Sequence, residues 1–380
     1  MAISNLGKSI LGNIRLGNKS REDSVLLYSF LVLVLVGVVM VYSTSSMLAE
    51  NRFGSHTHFL KRQLIWMAVS AFAMIGVYYI DLKKLGRYTP LFILAAVITL
   101  SMTFFMPARN EAQRWIFWGP LTVQPSEFAK IALVYYLAFS LSRTTRDLRD
   151  YRNLLVPYAP VIGLVLLLIL LEPDLGVTIV LGLTVVSIFF MAGARLLHLG
   201  AAASSLVAVA GILVLGFGYK IARVRDYIST LQDPLEGSYQ VKQAILTMGS
   251  GGAFGVGLGD GRQKLFFLPY PHTDFIFAAI GEELGFIGLA ALLTLFFIVL
   301  YRGLRIASQQ PDRFGYLLAS GITLCLFFNI AVNIGVVVSL LPTTGLPLPF
   351  ISYGGSSLVV SSLMVGILLN LSRRRDGWIK

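Results

Sequence analysis

Asp274, Glu282 and Glu283 stand at the mouth of an apolar run in HTDFIFAAIGEELG, residues 272–285. Ionisable groups at membrane depth are costly unless paired, so acids kept there mark a site that uses their charge. Asp274 suits two compatible roles, a helix N-cap and a general base within hydrogen-bond reach of a hydroxyl proton. Glu282 and Glu283 are adjacent, point about 100° apart on a helix and cannot both face one narrow site. One of them is left to bind the large loop or a neighbouring helix.

Two further motifs carry charge into apolar surroundings. In QPSEFAK, residues 124–130, Pro125 and Glu127 are ordinary at a helix start. Lys130 lies one turn deeper on the same face, so a Glu127–Lys130 pair lining a polar cavity is expected. In EPDLG, residues 172–176, a turn explains Pro173 and Gly176 but does not require both Glu172 and Asp174. YQVKQAILTMGSG reads as a short helix bearing Gln240, Lys242 and Gln243, and the glycines after it fit no phosphate-loop pattern. No nucleotide is therefore expected. LPTTGLPLPFISYGGSS, residues 341–357, is uncharged and rich in proline and glycine. Such backbone is tolerated in a bilayer only where protein buries it or a cavity hydrates it, so it reads as a re-entrant or lid-like segment over the same cavity.

What positions these residues is a set of membrane spans. Of the 380 residues, 56% are hydrophobic and only 13% charged, a balance a water-soluble domain could not bury. Apolar runs at 25–43, 64–80, 90–106, 128–142, 155–171, 176–193, 197–219, 275–301, 314–340 and 357–372 give about ten transmembrane helices. The expectation is an all-α polytopic membrane protein with tails at 1–24 and 373–380, the spans over 25–372, and a large extracytoplasmic loop at 220–274 between spans seven and eight. The net charge of +12 reads as orientation signal rather than as a nucleic-acid surface. Basic clusters at Lys83, Lys84 and Arg87 and at Arg143, Arg146, Arg149 and Arg152 fall on segments that put both termini in the cytoplasm. Cys325, the single cysteine, excludes an internal disulfide.

RWI at 114–116, QPSEFAK, EPDLG, GSYQVKQAILTMGSGG, LPYPHTDFIFAAIGEELGFIG and GLPLPFISYGGSS together resemble the SEDS family of integral membrane peptidoglycan glycosyltransferases, over about residues 25–372. YQVKQAILTMGSGG followed by QK at 263–264 is more similar to the division-type members than to the elongation-type ones. One departure is Pro271, where the family usually carries Glu before His-Thr-Asp. The resemblance implies polymerisation of lipid II, a disaccharide-pentapeptide on undecaprenyl pyrophosphate, in the bacterial cytoplasmic (inner) membrane. It implies that Asp274 is the base. It offers Arg114, Lys130, Lys242 and Lys264 for the pyrophosphate, with Arg114 and Lys130 preferred. Glu127, Glu172 or Asp174 would hold a Mg²⁺ or Mn²⁺ ion, and Gln240, Gln243, His272 and Ser352 would contact substrate. A class B penicillin-binding protein transpeptidase of the FtsI type and other divisome proteins are the implied partners, with membrane lipid around them. A lipid II flippase is the rival reading, since intramembrane charges also mark transport pathways.

Overall fold

The structure is a computed structural model describing residues 22–107, 113–118, 121–201, 204, 211, 221–232, 238–262 and 268–373. Its helices are α1 (Ser24–Phe53), α2 (His58–Tyr79), α3 (Leu82–Leu85), α4 (Thr89–Thr103), α5 (Pro125–Arg143), α6 (Tyr151–Leu171), α7 (Leu175–Met191), α8 (Ile221–Gln232), α9 (Tyr239–Ser250), α10 (Ile276–Ser308), α11 (Arg313–Val337) and α12 (Gly355–Ser372). Nine of the ten apolar runs coincide with helices, and the tenth, 197–219, falls mainly outside the described residues. Six stretches are long and apolar enough to cross a bilayer: α1, α2, Leu82–Thr103, α10, α11 and α12. The apolar parts of α6 and α7 are shorter. α5 carries Glu127, Lys130 and Arg143 and is not among the six. Among the described residues one feature departs from an all-α chain, an antiparallel pair of strands β1 (Ile116–Trp118) and β2 (Leu121–Val123) with Phe117 opposite Thr122.

α11 and α12 occupy the centre and are largely buried, whereas α2 and Leu82–Thr103 turn most of their surface outward. α12 packs along α2, and α11 packs against α5, α7 and α10. Apolar side chains such as Phe72 and Ile75 on α2 are exposed, as expected where lipid replaces water. At one end of the bundle Asp23 accepts from Leu26 N at 3.1 Å, and Arg302 NH2 lies 2.7 Å from the same carboxylate. The Asp23 amide also donates to Ser372 Oγ at 3.2 Å, so the starts of α1 and the ends of α10 and α12 are joined there. The motif residues gather at the other end.

α10 is broken within the acidic motif. Gly285 has φ 67° and ψ −170°, a conformation that L side chains rarely adopt. The break releases backbone groups that an unbroken helix would pair, and the glycine-rich segment takes them up. Val256 N donates to Glu282 O at 2.9 Å and Gly257 N to Glu283 O at 3.1 Å, while Phe286 N and Ile287 N donate to Gly252 O and Ala253 O. The side chains join in. Arg262 N donates to Glu282 Oε1 at 2.7 Å, and Gly259 N to Glu283 Oε2 at 3.1 Å. Ser43 Oγ of α1 donates to Glu283 Oε1 at 2.6 Å. Both glutamates therefore bind the loop, and Glu283 binds a neighbouring helix as well, where the sequence reading assigned such a contact to one of them only.

A Cβ on Gly285 would come within 2.3 Å of Gly255 N. Gly285→Ala is accordingly expected to destabilise the protein by about 1–3 kcal/mol. The readouts are a lower thermal midpoint in detergent and faster proteolysis between residues 251 and 262.

Candidate active site

A cavity of about 840 Å³ opens among the end of α1, the start of α2, the β1–β2 pair, the 268–275 segment before α10 and the 343–355 segment before α12. Among the described residues its lining holds one carboxylate, Asp274, and three guanidinium groups, Arg52, Arg62 and Arg114. Met47, Leu48, Phe53, Phe59 and Trp66 supply an apolar flank. Among the described residues the cavity thus offers one carboxylate, an excess of positive charge and a greasy wall.

Asp274 does not cap α10. The cap position is Phe275, with no side-chain hydrogen bond, so the N-cap role expected from sequence is corrected. The segment is held instead through its main chain, at three consecutive carbonyls. Tyr353 N donates to His272 O at 2.8 Å, Ser352 Oγ to Thr273 O at 2.6 Å and Asn333 Nδ2 to Asp274 O at 3.0 Å. Ser352 Oγ also accepts from Leu348 N at 2.8 Å, which makes it a clamp between two segments rather than part of the cavity wall.

Arg114 is oriented by the EPDLG turn. Its Nε donates to Glu172 O at 3.1 Å, its NH2 donates to Pro173 O, and its NH1 lies 3.8 Å from Asp174 Oδ2. Asp174 caps α7 by accepting from Val177 N at 3.2 Å and also accepts from Gln124 Nε2 at 3.0 Å. Gly345 approaches both Asp274 and Arg114. A Cβ there would sit 3.7 Å from Asp274 Oδ2 and 4.0 Å from Arg114 NH1, and the residue has φ +77°.

Glu172 lies in the turn between α6 and α7 with no exposed surface. Thr103 Oγ1 donates to its Oε1 at 2.8 Å, and its Oε2 has no hydrogen-bond partner among the described residues. Burial pushes this carboxyl up to about 8, the Thr103 hydrogen bond opposes that, the Asp174 charge adds to it and Arg114 opposes it. Between about pH 4.5 and 8 the folded chain keeps a proton that the unfolded chain has released, so stability falls as pH rises through that window. Glu172→Gln is expected to flatten this part of a plot of thermal midpoint against pH.

His272 is nearly buried, stacks at a tilt on Phe59 with centroids 4.8 Å apart, and has no hydrogen-bond partner at Nδ1 among the described residues. Burial, reinforced by the Arg52 charge, pulls its imidazole down to about 4. The ring is neutral at neutral pH.

The remaining sequence candidates divide. Gln240 lines the cavity with Asp274, Arg114 and His272, whereas Lys242 and Gln243 on the same helix do not. Glu127 and Lys130 pair at 2.9 Å as expected, and Lys130 Nζ also donates to Asn329 Oδ1 at 3.1 Å. Both side chains are buried between α5 and α11 and do not line this cavity, which corrects their expected place in its wall. Glu172, Asp174 and Ser352 likewise stand behind the wall. Lys264 lies outside the described residues. Sequence reasoning missed Arg52, Arg62, Gln124, Asn333 and Gly345. Arg52 and Arg62 belong to no motif that would single them out, but Asn333 in the run 314–340 is the kind of intramembrane polar group that marks a packing or functional contact.

No three His, Cys, Asp or Glu side chains among the described residues converge to hold a metal ion. Glu127 is engaged by Lys130, Asp174 by Val177 N and Gln124, and Glu172 by Thr103. Among the described residues, Glu127, Glu172 and Asp174 thus do not converge into the set of oxygen ligands that a protein-built Mg²⁺ or Mn²⁺ cage needs.

Comparison with known proteins agrees with this architecture. A family model described as cell cycle protein, FtsW/RodA/SpoVE, matches residues 23–377. Stage V sporulation protein E of Bacillus subtilis (strain 168) is 39% identical over 360 residues, covering 93% of this chain and 98% of the relative. A probable peptidoglycan glycosyltransferase FtsW of Geobacter metallireducens is 39% identical over 360 residues, covering 94% and 96%. Among solved structures, a chain from a peptidoglycan synthase complex that coordinates polymerization and crosslinking superposes with TM-score 0.77 at 27% identity, covering 94% of this chain and 99% of that one. The rod shape determining protein RodA of Thermus thermophilus does so with TM-score 0.68 at 27% identity, covering 93% and 98%. By the extent of these matches and by its helical architecture, the chain belongs to the FtsW/RodA/SpoVE family of multi-pass membrane proteins.

Proposed function

We propose that the protein is a peptidoglycan glycosyltransferase that polymerises lipid II, with Asp274 as the general base. The observation that carries this reading is the composition of the cavity, which among the described residues sets one carboxylate among three arginines beside an apolar flank. The acceptor's sugar 4-hydroxyl attacks the anomeric carbon of the donor and passes its proton to Asp274 as the new bond forms. The bond from that carbon to the undecaprenyl pyrophosphate oxygen breaks, and its electron pair leaves with the pyrophosphate. Attack from the opposite face converts the α linkage into a β linkage. Negative charge grows on the leaving group, and fixed guanidinium groups stabilise it in proportion to how little they must reorganise. Arg114, fastened by two carbonyls and the Asp174 carboxylate, is already oriented, while Arg52 and Arg62 are exposed at the mouth and meet the pyrophosphate there. The polyprenyl tails lie along the Met47–Phe53 side.

The finer reading is a division-type enzyme, supported by the FtsW-named relatives at 39% identity against 27% for the solved RodA. Ten spans, with the seventh over 197–219, an extracytoplasmic 220–274 loop and both termini cytoplasmic complete the topology. The partner is a class B penicillin-binding protein, a reading supported by the likeness to a chain from a synthase complex. A divalent ion, if the reaction uses one, arrives on the substrate's pyrophosphate.

The test is glycan-chain formation from purified lipid II by the protein with its cognate transpeptidase. Polymer sensitive to a muramidase supports the reading. No polymer, together with intact translocation of lipid II across liposomes, replaces it with the flippase.

A further inference from the structure

Asn333 is an amide inside a predominantly apolar helix, 2% exposed, and it lines the cavity without a charge or a nucleophile to offer. What it does offer is two N–H donors. Its Nδ2 donates to Asp274 O at 3.0 Å and to Leu346 O at 2.6 Å. These two donations fix which way the amide faces, because an oxygen in that place would meet two carbonyl oxygens. The other carbonyls of the His272–Asp274 segment are held by Ser352 and Tyr353, which belong to the loop before α12. Of the three clamps, Asn333 alone comes from α11, a buried helix of the bundle.

Leu346 follows Gly345, where a Cβ would lie within 4.0 Å of both the Asp274 carboxylate and the Arg114 guanidinium. One amide group thus ties the main chain of Asp274 to that of Leu346, the neighbour of a glycine that approaches both Asp274 and Arg114. We propose that Asn333 is a positioning residue for glycosyl transfer, fixing the Asp274 carboxylate relative to Gly345 and Arg114 through hydrogen bonds to backbone rather than to substrate. The proposal rests on the reading of Asp274 as the base. Small misplacements of a reacting group cost rate far more than affinity, so the signature is kinetic.

The experiment grades the number of donors at position 333 with the branched four-heavy-atom side chain kept. Wild type offers two N–H groups. Asn333→Asp, with its new carboxyl kept protonated by burial, offers one O–H, and Asn333→Leu offers none. With lipid II as substrate and the transpeptidase present, kcat is expected to fall in that order, by about 10- to 100-fold for Asn333→Leu, with KM within about threefold of wild type. The Asn333→Asp variant is expected to lose turnover more steeply than wild type as pH rises, because ionisation removes its one donor. Thermal midpoints are measured on the same preparations. Turnover of folded Asn333→Leu within twofold of wild type overturns the proposal. So does a KM rise that accounts for the whole loss, which would make Asn333 a substrate contact, and so does failure of both variants to fold, which would make it purely structural. Wild type and Asp274→Asn run beside them separate this outcome from the function itself. A polymerising wild type with an inactive Asp274→Asn upholds the base whatever position 333 shows.

Discussion

Asp274→Asn is expected to lower glycan-chain formation by about 10²- to 10⁴-fold, the range that a positioned general base contributes. The substitution keeps the volume and changes little else. The segment is held by Tyr353, Ser352 and Asn333 acting on the carbonyls of residues 272–274, and α10 does not use residue 274 as its cap. An amide there keeps the main-chain clamps and loses the group that takes up the proton. The comparison is polymer yield and length from lipid II at saturating substrate, with thermal midpoint as the fold control. A variant with more than about a third of wild-type turnover is incompatible with a base contribution of that size.

The largest effect on stability is expected at Lys130. Its ammonium and the Glu127 carboxylate are almost wholly buried, 2.9 Å apart, with Asn329 completing the shell. Lys130→Met leaves a carboxylate with no cation beside it, and breaking a buried pair from one side costs about 3–5 kcal/mol. Removing both charges together, as Glu127→Gln with Lys130→Met, is expected to restore most of that loss, because two neutral side chains carry no such penalty. Thermal midpoints of the two single variants and the double variant close the cycle. Additive losses would show that the two charges do not stabilise one another.

Much of the helical framework was legible because apolar runs of bilayer length permit few other structures, and nine of them are helices. The ends were less legible. α1 reaches Phe53, ten residues beyond the apolar run that announced it, and those residues bring Arg52 and Phe53 into the cavity wall. The β1–β2 pair was not foreseen, since three-residue strands carry little periodic signal. At the site, Asp274, Arg114, Gln240 and His272 do share one cavity, as their clustering at span ends suggested. Lys130 was misplaced because a helical face says which residues are neighbours, not whether that face meets a cavity or another helix. Glu282 and Glu283 point apart as adjacent helical residues must, but the break at Gly285 and the loop docked on it could not be read from spacing. Asn333 is a long-range effect of the same kind, joining residues 59 and 13 positions away in sequence.

The break in α10 also bears on how the chain is made. A span containing Gly285 satisfies the exposed carbonyls of Glu282 and Glu283 and the amides of Phe286 and Ile287 only after residues 252–257 have been laid against it. Those residues precede α10 in the chain and therefore emerge from the ribosome first, so the template that accepts the bent helix exists before the helix enters the bilayer. Synthesised without that upstream segment, the same stretch relieves its unpaired groups by straightening into an ordinary continuous span. A cut between residues 258 and 275 therefore separates the bent helix from the residues that pair its broken groups.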